Sequence, residues 1–415
     1  MLKQLILENW KSFRYAELPL DPLTVLIGTN ASGKSNVVEA LEFLQRIVQG
    51  ENIEAALAGD KTLSPIRGGV EWAARKPESQ FTLKALVQGE DETTDYLYVI
   101  KIETQAHVRV IEESIDIQIL NEKITLDIKN FSFNNRNGAG LFYSPAELSS
   151  FKQFINSLPE LNQKFDLDNF YEKYKNDYMP VRNTINRLVV STLEKIFILN
   201  PIPSKMRDYS RLSDTLESDA ANIAGVLAGL SDKEKEEVES ALSDYIKDLP
   251  EGDIKKVWAE KVGRFGIDAM LYCQEEWQPG DITEIDARSM SDGTLRFLAI
   301  LTALLTRPEG SQLVIEEIDN GLHPSRAKLL VKILREIGSK RNIDILITTH
   351  NPALLDALGP EIVPFVVVAH RDSETGESKL TILEEIDNLP LLLASGTLGK
   401  LATKGAIEKS LSENK

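Results

Sequence analysis

Leu23-Thr-Val-Leu-Ile27-Gly28-Thr29-Asn30-Ala31-Ser32-Gly33-Lys34-Ser35 decides the fold of this 415-residue chain. Leu23 to Ile27 reads as a buried strand. It breaks into a loop with glycines at 28 and 33, followed at once by Lys34 and Ser35. Val37, Val38, Leu41, Leu44, Ile47 and Val48 then recur at helical spacing, so a helix begins inside the loop. Strand, glycine loop and helix in that order make a phosphate cradle. Backbone N–H groups of Asn30, Ala31, Ser32 and Gly33 turn inward, and the new helix aims its positive end at the same point. Lys34 is placed to reach the β- and γ-phosphates of ATP, and the Ser35 hydroxyl to ligate Mg2+.

Leu313-Val-Ile-Glu316-Glu317 is a second buried strand, ending in two carboxylates. Such an end is costly unless the carboxylates meet a cation. Beside a phosphate loop, Glu316 holds Mg2+ through water, and Glu317 orients or deprotonates the attacking water. Ile345-Leu-Ile-Thr348-Thr349-His350 sets a histidine just past a third buried strand, within reach of a γ-phosphate. A lone histidine there also reads as structural. Ser291-Asp292-Gly293 precedes a strongly apolar helix carrying Leu295, Phe297, Leu298, Ile300 and Leu301. Taken alone, that segment is an N-capped core helix.

Composition narrows the class. Hydrophobic residues make up 42% and charged residues 27%, as in globular proteins. The longest apolar run, Phe297 to Leu305, falls far short of the ~20 residues that cross a bilayer. The N-terminus reads as a strand and not as a signal peptide, so a cytoplasmic location with no membrane is expected. One cysteine, Cys273, excludes an internal disulfide, and the four histidines lie too far apart for a zinc finger. A net charge of −17 argues against a histone-like DNA binder and leaves room for a local basic groove. From Ser213 to Asp248 ten acids face three lysines, which reads as a solvated helical face.

Residues 1–144 are expected to form the first part of a head, with a strand pair, the glycine loop and an antiparallel β meander. Residues 145–268 read as a helical insertion, broken at Pro159, Pro180, Asn200-Pro-Ile-Pro203 and Leu249-Pro-Glu-Gly252. Residues 269–385 complete the head, and 386–415 form a C-terminal tail. The fold class is α/β.

In this order the motifs resemble ABC-type ATPases of the SMC/RecF/OLD class, the AAA-type ATPases of bacterial defence systems. The resemblance covers roughly residues 1–75 and 265–370 and includes the opening Leu5-Ile-Leu-Glu-Asn-Trp-Lys-Ser-Phe13. It implies a P-loop ABC ATPase head with an antiparallel β lobe and an insertion between Walker A and signature. Gly28 to Ser35 stands at Walker A, Ser291-Asp292-Gly293 at the signature, Glu316 and Glu317 at Walker B, and Asp319 to His323 at the D-loop. His350 takes the place of the switch histidine. Arg67, in Ser64-Pro-Ile-Arg67-Gly-Gly, matches an arginine loop, and by itself reads as an ordinary surface arginine. Three positions depart from the pattern: Asp292 stands for glycine, Glu316 for aspartate, and Leu322-His323 for Leu-Asp. No glutamine marks the Q-loop, with Gln153 one candidate.

The resemblance implies a homodimer, or a higher assembly, in which each ATP lies between Lys34 of one chain and Ser291 of another. No TOPRIM domain is expected: the one Asp-x-Asp pair, Asp166-Leu167-Asp168, reads as helix capping. A separate effector is implied instead, whether nuclease, TOPRIM-like protein or toxin; the class often touches DNA, but at a net charge of −17 no DNA site is named in this chain. The implied function is an ATPase switch in anti-phage defence or DNA maintenance. The alternative is a slow ATP-gated scaffold that sequesters an effector. A transporter ATPase subunit fits least, because of the long insertion and the N-terminal strand pair.

Overall fold

The computed structural model describes residues 1–91, 93–119, 122–124, 185–250 and 252–413. Its strands in chain order are β1 (Leu2–Trp10), β2 (Phe13–Pro19), β3 (Leu23–Ile27), β4 (Gln80–Gln88), β5 (Thr94–Glu103), β6 (Arg109–Ile119), β7 (Glu122–Ile124) and β8 (Ile196–Leu199). These are followed by β9 (Ser210–Arg211), β10 (Ile254–Val262), β11 (Asp268–Gln278), β12 (Asp281–Asp286), β13 (Gln312–Ile315), β14 (Asp344–Thr348), β15 (Val366–Arg371) and β16 (Ser378–Ile382). Twelve of them form one sheet, in the order β7-β6-β5-β4-β1-β2-β16-β15-β3-β14-β13-β8.

One half of that sheet is an antiparallel meander, and the other is a parallel core running from β15 through β3, β14 and β13 to β8. The two halves meet where β2 and β16 pair in parallel. Parallel strands are buried on both faces, which explains their nearly continuous apolar composition. Alternate residues serve opposite cores. Val25, Ile27, Leu313, Ile315, Ile345 and Ile347 face one. Leu26, Val314, Leu346, Val367 and Ala369 face the other.

Register positions the site. Ile315 of β13 lies opposite Ile347 of β14 and Leu199 of β8, and Thr348 of β14 lies opposite Leu26 of β3. The carboxyl ends of four strands therefore line up, and Gly28, Glu316, Thr349 and Asn200 leave the sheet along one edge. That edge is where open parallel sheets bind ligands.

The meander's core is anchored on Trp10. Its ring is fully buried, 4.9 Å from Phe81 and 6.0 Å from Phe43 between centroids. Its Nε1 donates to the Asn36 carbonyl at 2.7 Å, tying β1 to the helix Lys34–Val48 that follows the glycine loop. Trp10→Ala is expected to cost about 3–5 kcal/mol of stability, read as a lower urea midpoint. A loss below about 1 kcal/mol would contradict this packing role.

Two stretches correct the helical reading of 145–268. Ile196–Leu199 is β8, buried beside β13, and Ile254–Val262 is β10. Four apolar residues in a row have no period that separates strand from helix, so only pairing with a distant partner decides. β10 pairs with β11, which pairs with β12, and β9 joins β11, making a second sheet. Helices Ile223–Gly229 and Asp232–Lys247 pack against β10 and reach the helix Asp292–Thr306. A further helix runs over 185–194.

The acidic run is partly structural. Ser231 and Glu234 form a capping box at the start of Asp232–Lys247. Glu239 accepts from Ala259 N at 2.8 Å and Ser243 from Val257 N at 3.0 Å, covering the free edge of β10. Residues 125–184 lie outside the described residues, and with them Gln153, the Asp166–Asp168 pair and most of the expected strand Lys123–Ile128.

Candidate functional site

The glycine loop is shaped by close contacts. A Cβ on Gly28 would lie 2.1 Å from the Ala369 carbonyl oxygen, and Gly28 itself has φ 142°. No side chain fits there, and β15 thereby holds the loop's first turn. Ala31 also takes a left-handed φ of 62°, and Arg371 Nε donates to its carbonyl at 2.9 Å.

Lys34 Nζ folds back over the loop and donates to Gly28 O at 2.7 Å and Thr29 O at 3.0 Å. Burial pulls its pKa below the ordinary lysine value. The fields of Glu317, Glu316 and Glu408 oppose that shift. Glu408 comes from the C-terminal helix Ala406–Glu413.

Glu316 follows β13 directly. Its Oε1 accepts from the Ser35 hydroxyl and lies 3.4 Å from Arg67 Nη2. Arg67 therefore pairs with acids of this edge while its side chain stays 66% exposed. Its Nε donates to Glu39 Oε1 at 2.6 Å. Lys11 donates to the other Glu39 oxygen and, at 2.8 Å, to the Arg67 carbonyl. Glu39, in helix Lys34–Val48, is buried together with the Lys11 side chain, whereas Arg67 reaches it from the exposed side.

Glu317 has φ 48°, a conformation that costs a non-glycine residue on the order of 1–3 kcal/mol. It is held by its own N–H, which donates to Thr348 Oγ1 at 2.8 Å, and by Ile318 N, which donates to Thr348 O at 3.1 Å. Its carboxylate is exposed at the edge. The Thr349 hydroxyl donates to Asp319, and His350 stands exposed beyond it. Asn200 occupies the same edge: register puts it beside Glu316, and it is exposed.

The residues present fit a magnesium–nucleotide triphosphate group. Among the described residues, the buried Ser32 Oγ inside the loop has no hydrogen-bond partner, and an anion would supply one. Ser35 and Glu316 are hard oxygen donors of the kind Mg2+ takes, and they already touch.

The signature segment is built separately. Ser291 caps helix Asp292–Thr306 and accepts from Thr294 N at 3.1 Å. A Cβ on Gly293 would lie 2.9 Å from the Gly321 carbonyl oxygen, so this helix start packs on the turn after Walker B. Asp292 pairs with Arg207. The side-chain hydrogen bonds of Ser291 and Asp292 run to Thr294 and Arg207, and among the described residues none reaches 28–35. Lys11, Glu39, Asn200, Thr348 and Arg371 frame this edge, and Arg207 frames the signature turn; several lie in stretches singled out in the sequence, but none had a role assigned there. Only the buried Glu39 carried a local signal, as an acid on the apolar side of a helix.

A family model described as "AAA domain, putative AbiEii toxin, Type IV TA system" matches residues 23–356. The chain belongs to that family. Membership carries nucleotide binding and, in general terms, ATPase activity. The match spans the glycine loop, the signature segment, both glutamates and His350. The strand, glycine loop and helix of residues 23–48 and the mixed sheet agree with a nucleotide-binding domain of that family.

Among solved structures, the chain is similar to the SMC head bound to the C-winged helix domain of ScpA. Identity is 13% over 92% of this chain and 96% of that one, with a TM-score of 0.49. It is similar to the SMC head domain from Thermotoga maritima, at 13% identity, 92% and 98% coverage and a TM-score of 0.44. It is also similar to the SMC head domain with an extended coiled coil bound to the C-terminal domain of ScpA derived from Pyrococcus furiosus. There the values are 14%, 95% and 99%, and 0.46. No curated protein matches the chain. Among the described residues, no helix is long and apolar enough to cross a membrane.

Proposed function

We propose that this chain is an ATP-hydrolysing switch that dimerises around ATP and controls a separate effector in anti-phage defence or DNA maintenance. The observation that carries the reading is the convergence of Gly28–Ser35, Glu316, Glu317 and His350 on one carboxyl edge, with the signature segment bonded elsewhere. An exposed helix start whose Ser291 and Asp292 side chains, among the described residues, make no bond to 28–35 suits the nucleotide of a second copy. The family's description as a toxin of a toxin–antitoxin system supports a defence role with a second component.

In this mechanism Lys34 leaves the Gly28 and Thr29 carbonyls and takes the β- and γ-phosphate oxygens. Ser35 and Glu316 hold Mg2+, which when bound neutralises phosphate charge. Asn30 to Gly33 supply backbone N–H groups. Glu317 accepts the proton of the attacking water, and His350 and Asn200 orient the γ-phosphate side. Arg67, already beside Glu316, adds positive charge. From the other copy, Ser291 to Gly293 close over the γ-phosphate, so its loss removes the contact that favours the closed dimer.

Turnover of ATP with and without linear double-stranded DNA tests the reading. Turnover that DNA stimulates, with a steep salt dependence of binding, supports a DNA-responsive switch. Turnover at background throughout, with ATP still bound, would replace it by the ATP-gated scaffold. The longer Glu316 side chain, engaged by both Ser35 and Arg67, favours that second reading over a fast enzyme.

A further inference from the structure

Asp292 poses an electrostatic problem. It is the first residue of the signature helix, and its side chain is 68% exposed. A carboxylate at a helix N-terminus suits the dipole, but it repels a triphosphate that must dock on the same N–H groups. Arg207 answers it. Its Nη2 donates to the Asp292 carboxylate, and its Nη1 donates to the carbonyl oxygens of Ala287 at 3.0 Å and Met290 at 2.6 Å. The Arg288 carbonyl lies 3.4 Å from the same nitrogen. One planar fork therefore holds the whole turn that leads into Ser291 and neutralises the acid beside it. The arginine is the C-cap residue just after the short helix Pro203–Met206, which starts three residues past Asn200.

We infer that Arg207 is a positioning residue for the ATP-dependent dimer: it masks the charge of Asp292 and fixes the Ala287–Met290 carbonyls so that Ser291 and Gly293 can meet a partner's nucleotide. The inference rests on the ATP-sandwich reading above. It also accounts for an acid at a position where the resemblance implies glycine, since Asp292 serves as the anchor that Arg207 grips.

The experiment uses Glu317→Gln full-length protein as background, with mass followed by light scattering in Mg-ATP. Four forms are compared: Arg207, Arg207→Ala, Arg207→Lys, and Arg207→Ala with Asp292→Asn. Arg207→Ala is expected to weaken ATP-dependent dimerisation roughly 10- to 100-fold. ATP affinity of the monomer should stay within about threefold, because the loop that binds it is untouched. Arg207→Lys keeps the charge and loses the fork, so it should fall between the two. Adding Asp292→Asn to Arg207→Ala should recover part of the loss, which a purely structural role would not allow. Thermal unfolding of each form separates misfolding from lost docking. Equal dimerisation by Arg207→Ala overturns the inference and leaves the sandwich standing, and so does the absence of rescue. If the Arg207 form itself stays monomeric in ATP, the sandwich fails and this inference with it.

Discussion

Lys34→Ala is expected to lower Mg-ATP affinity by about 100- to 1,000-fold and to bring turnover to background. The size is scaled from the loss of one preorganised donor to an oxyanion, about 2.7–4 kcal/mol. The lysine is pre-placed. Its ammonium sits on the Gly28 and Thr29 carbonyls, at 2.7 and 3.0 Å, within the loop that must receive the phosphates. Exchanging two neutral carbonyls for phosphate oxygens strengthens its hydrogen bonds, so binding is favoured at this atom. Burial alone weakens its charge, and Glu317 and Glu316 counter that. Removing the ammonium therefore leaves two carboxylates at the edge with less positive charge to offset them, facing an incoming anion. Folding should be little affected, since the lysine's acceptors lie in its own loop. Calorimetric titration with Mg-ATP reads the affinity, and a urea midpoint reads the fold. An affinity within threefold of wild type would remove the phosphate assignment from this loop.

Local features of the site were legible because they are consecutive in the chain. Strand, glycine loop and helix fall within residues 23–48, and Glu316, Glu317 and His350 each lie within two residues of the end of an apolar strand. The antiparallel meander was legible for the same reason: β4, β5 and β6 are neighbours in sequence and in the sheet. What stayed hidden depends on distant partners. β8 is a strand only because β13 lies beside it, more than a hundred residues on. Asn200 gains its place next to Glu316 through that pairing, and no glutamine was there to mark it. Arg207 meets the Met290 carbonyl across 83 residues, and Arg371 reaches Ala31 across 340. Neither pairing has a period or a spacing that a single sequence could reveal. Asp292 read as a departure from a pattern, and its partner explains it.

Glu317→Gln is the sharper test of chemistry. Turnover is expected to fall about 100- to 10,000-fold, the range that one general base supplies. ATP affinity should change by only a few-fold. The substitution is conservative where it matters for structure. The left-handed backbone at 317 is held through its main-chain N–H to Thr348 Oγ1, and that bond does not involve the carboxylate. Glutamine therefore keeps the strained conformation and the exposed position, and loses the capacity to accept a proton. Glu316 keeps its contacts to Ser35 and Arg67, so magnesium and phosphate binding are preserved. With ATP bound and not consumed, the γ-phosphate remains between the two copies and the dimer should accumulate, seen as doubled mass in light scattering. Turnover within tenfold of wild type would move the base elsewhere, and exposed His350 would then be the group to replace next. If turnover is lost but the mass stays that of a monomer, Glu317 remains the base and the sandwich is what must be given up. The two outcomes part cleanly because the proposed sandwich puts the proton acceptor, Glu317, on one chain and the docking surface, Ser291 to Gly293, on another.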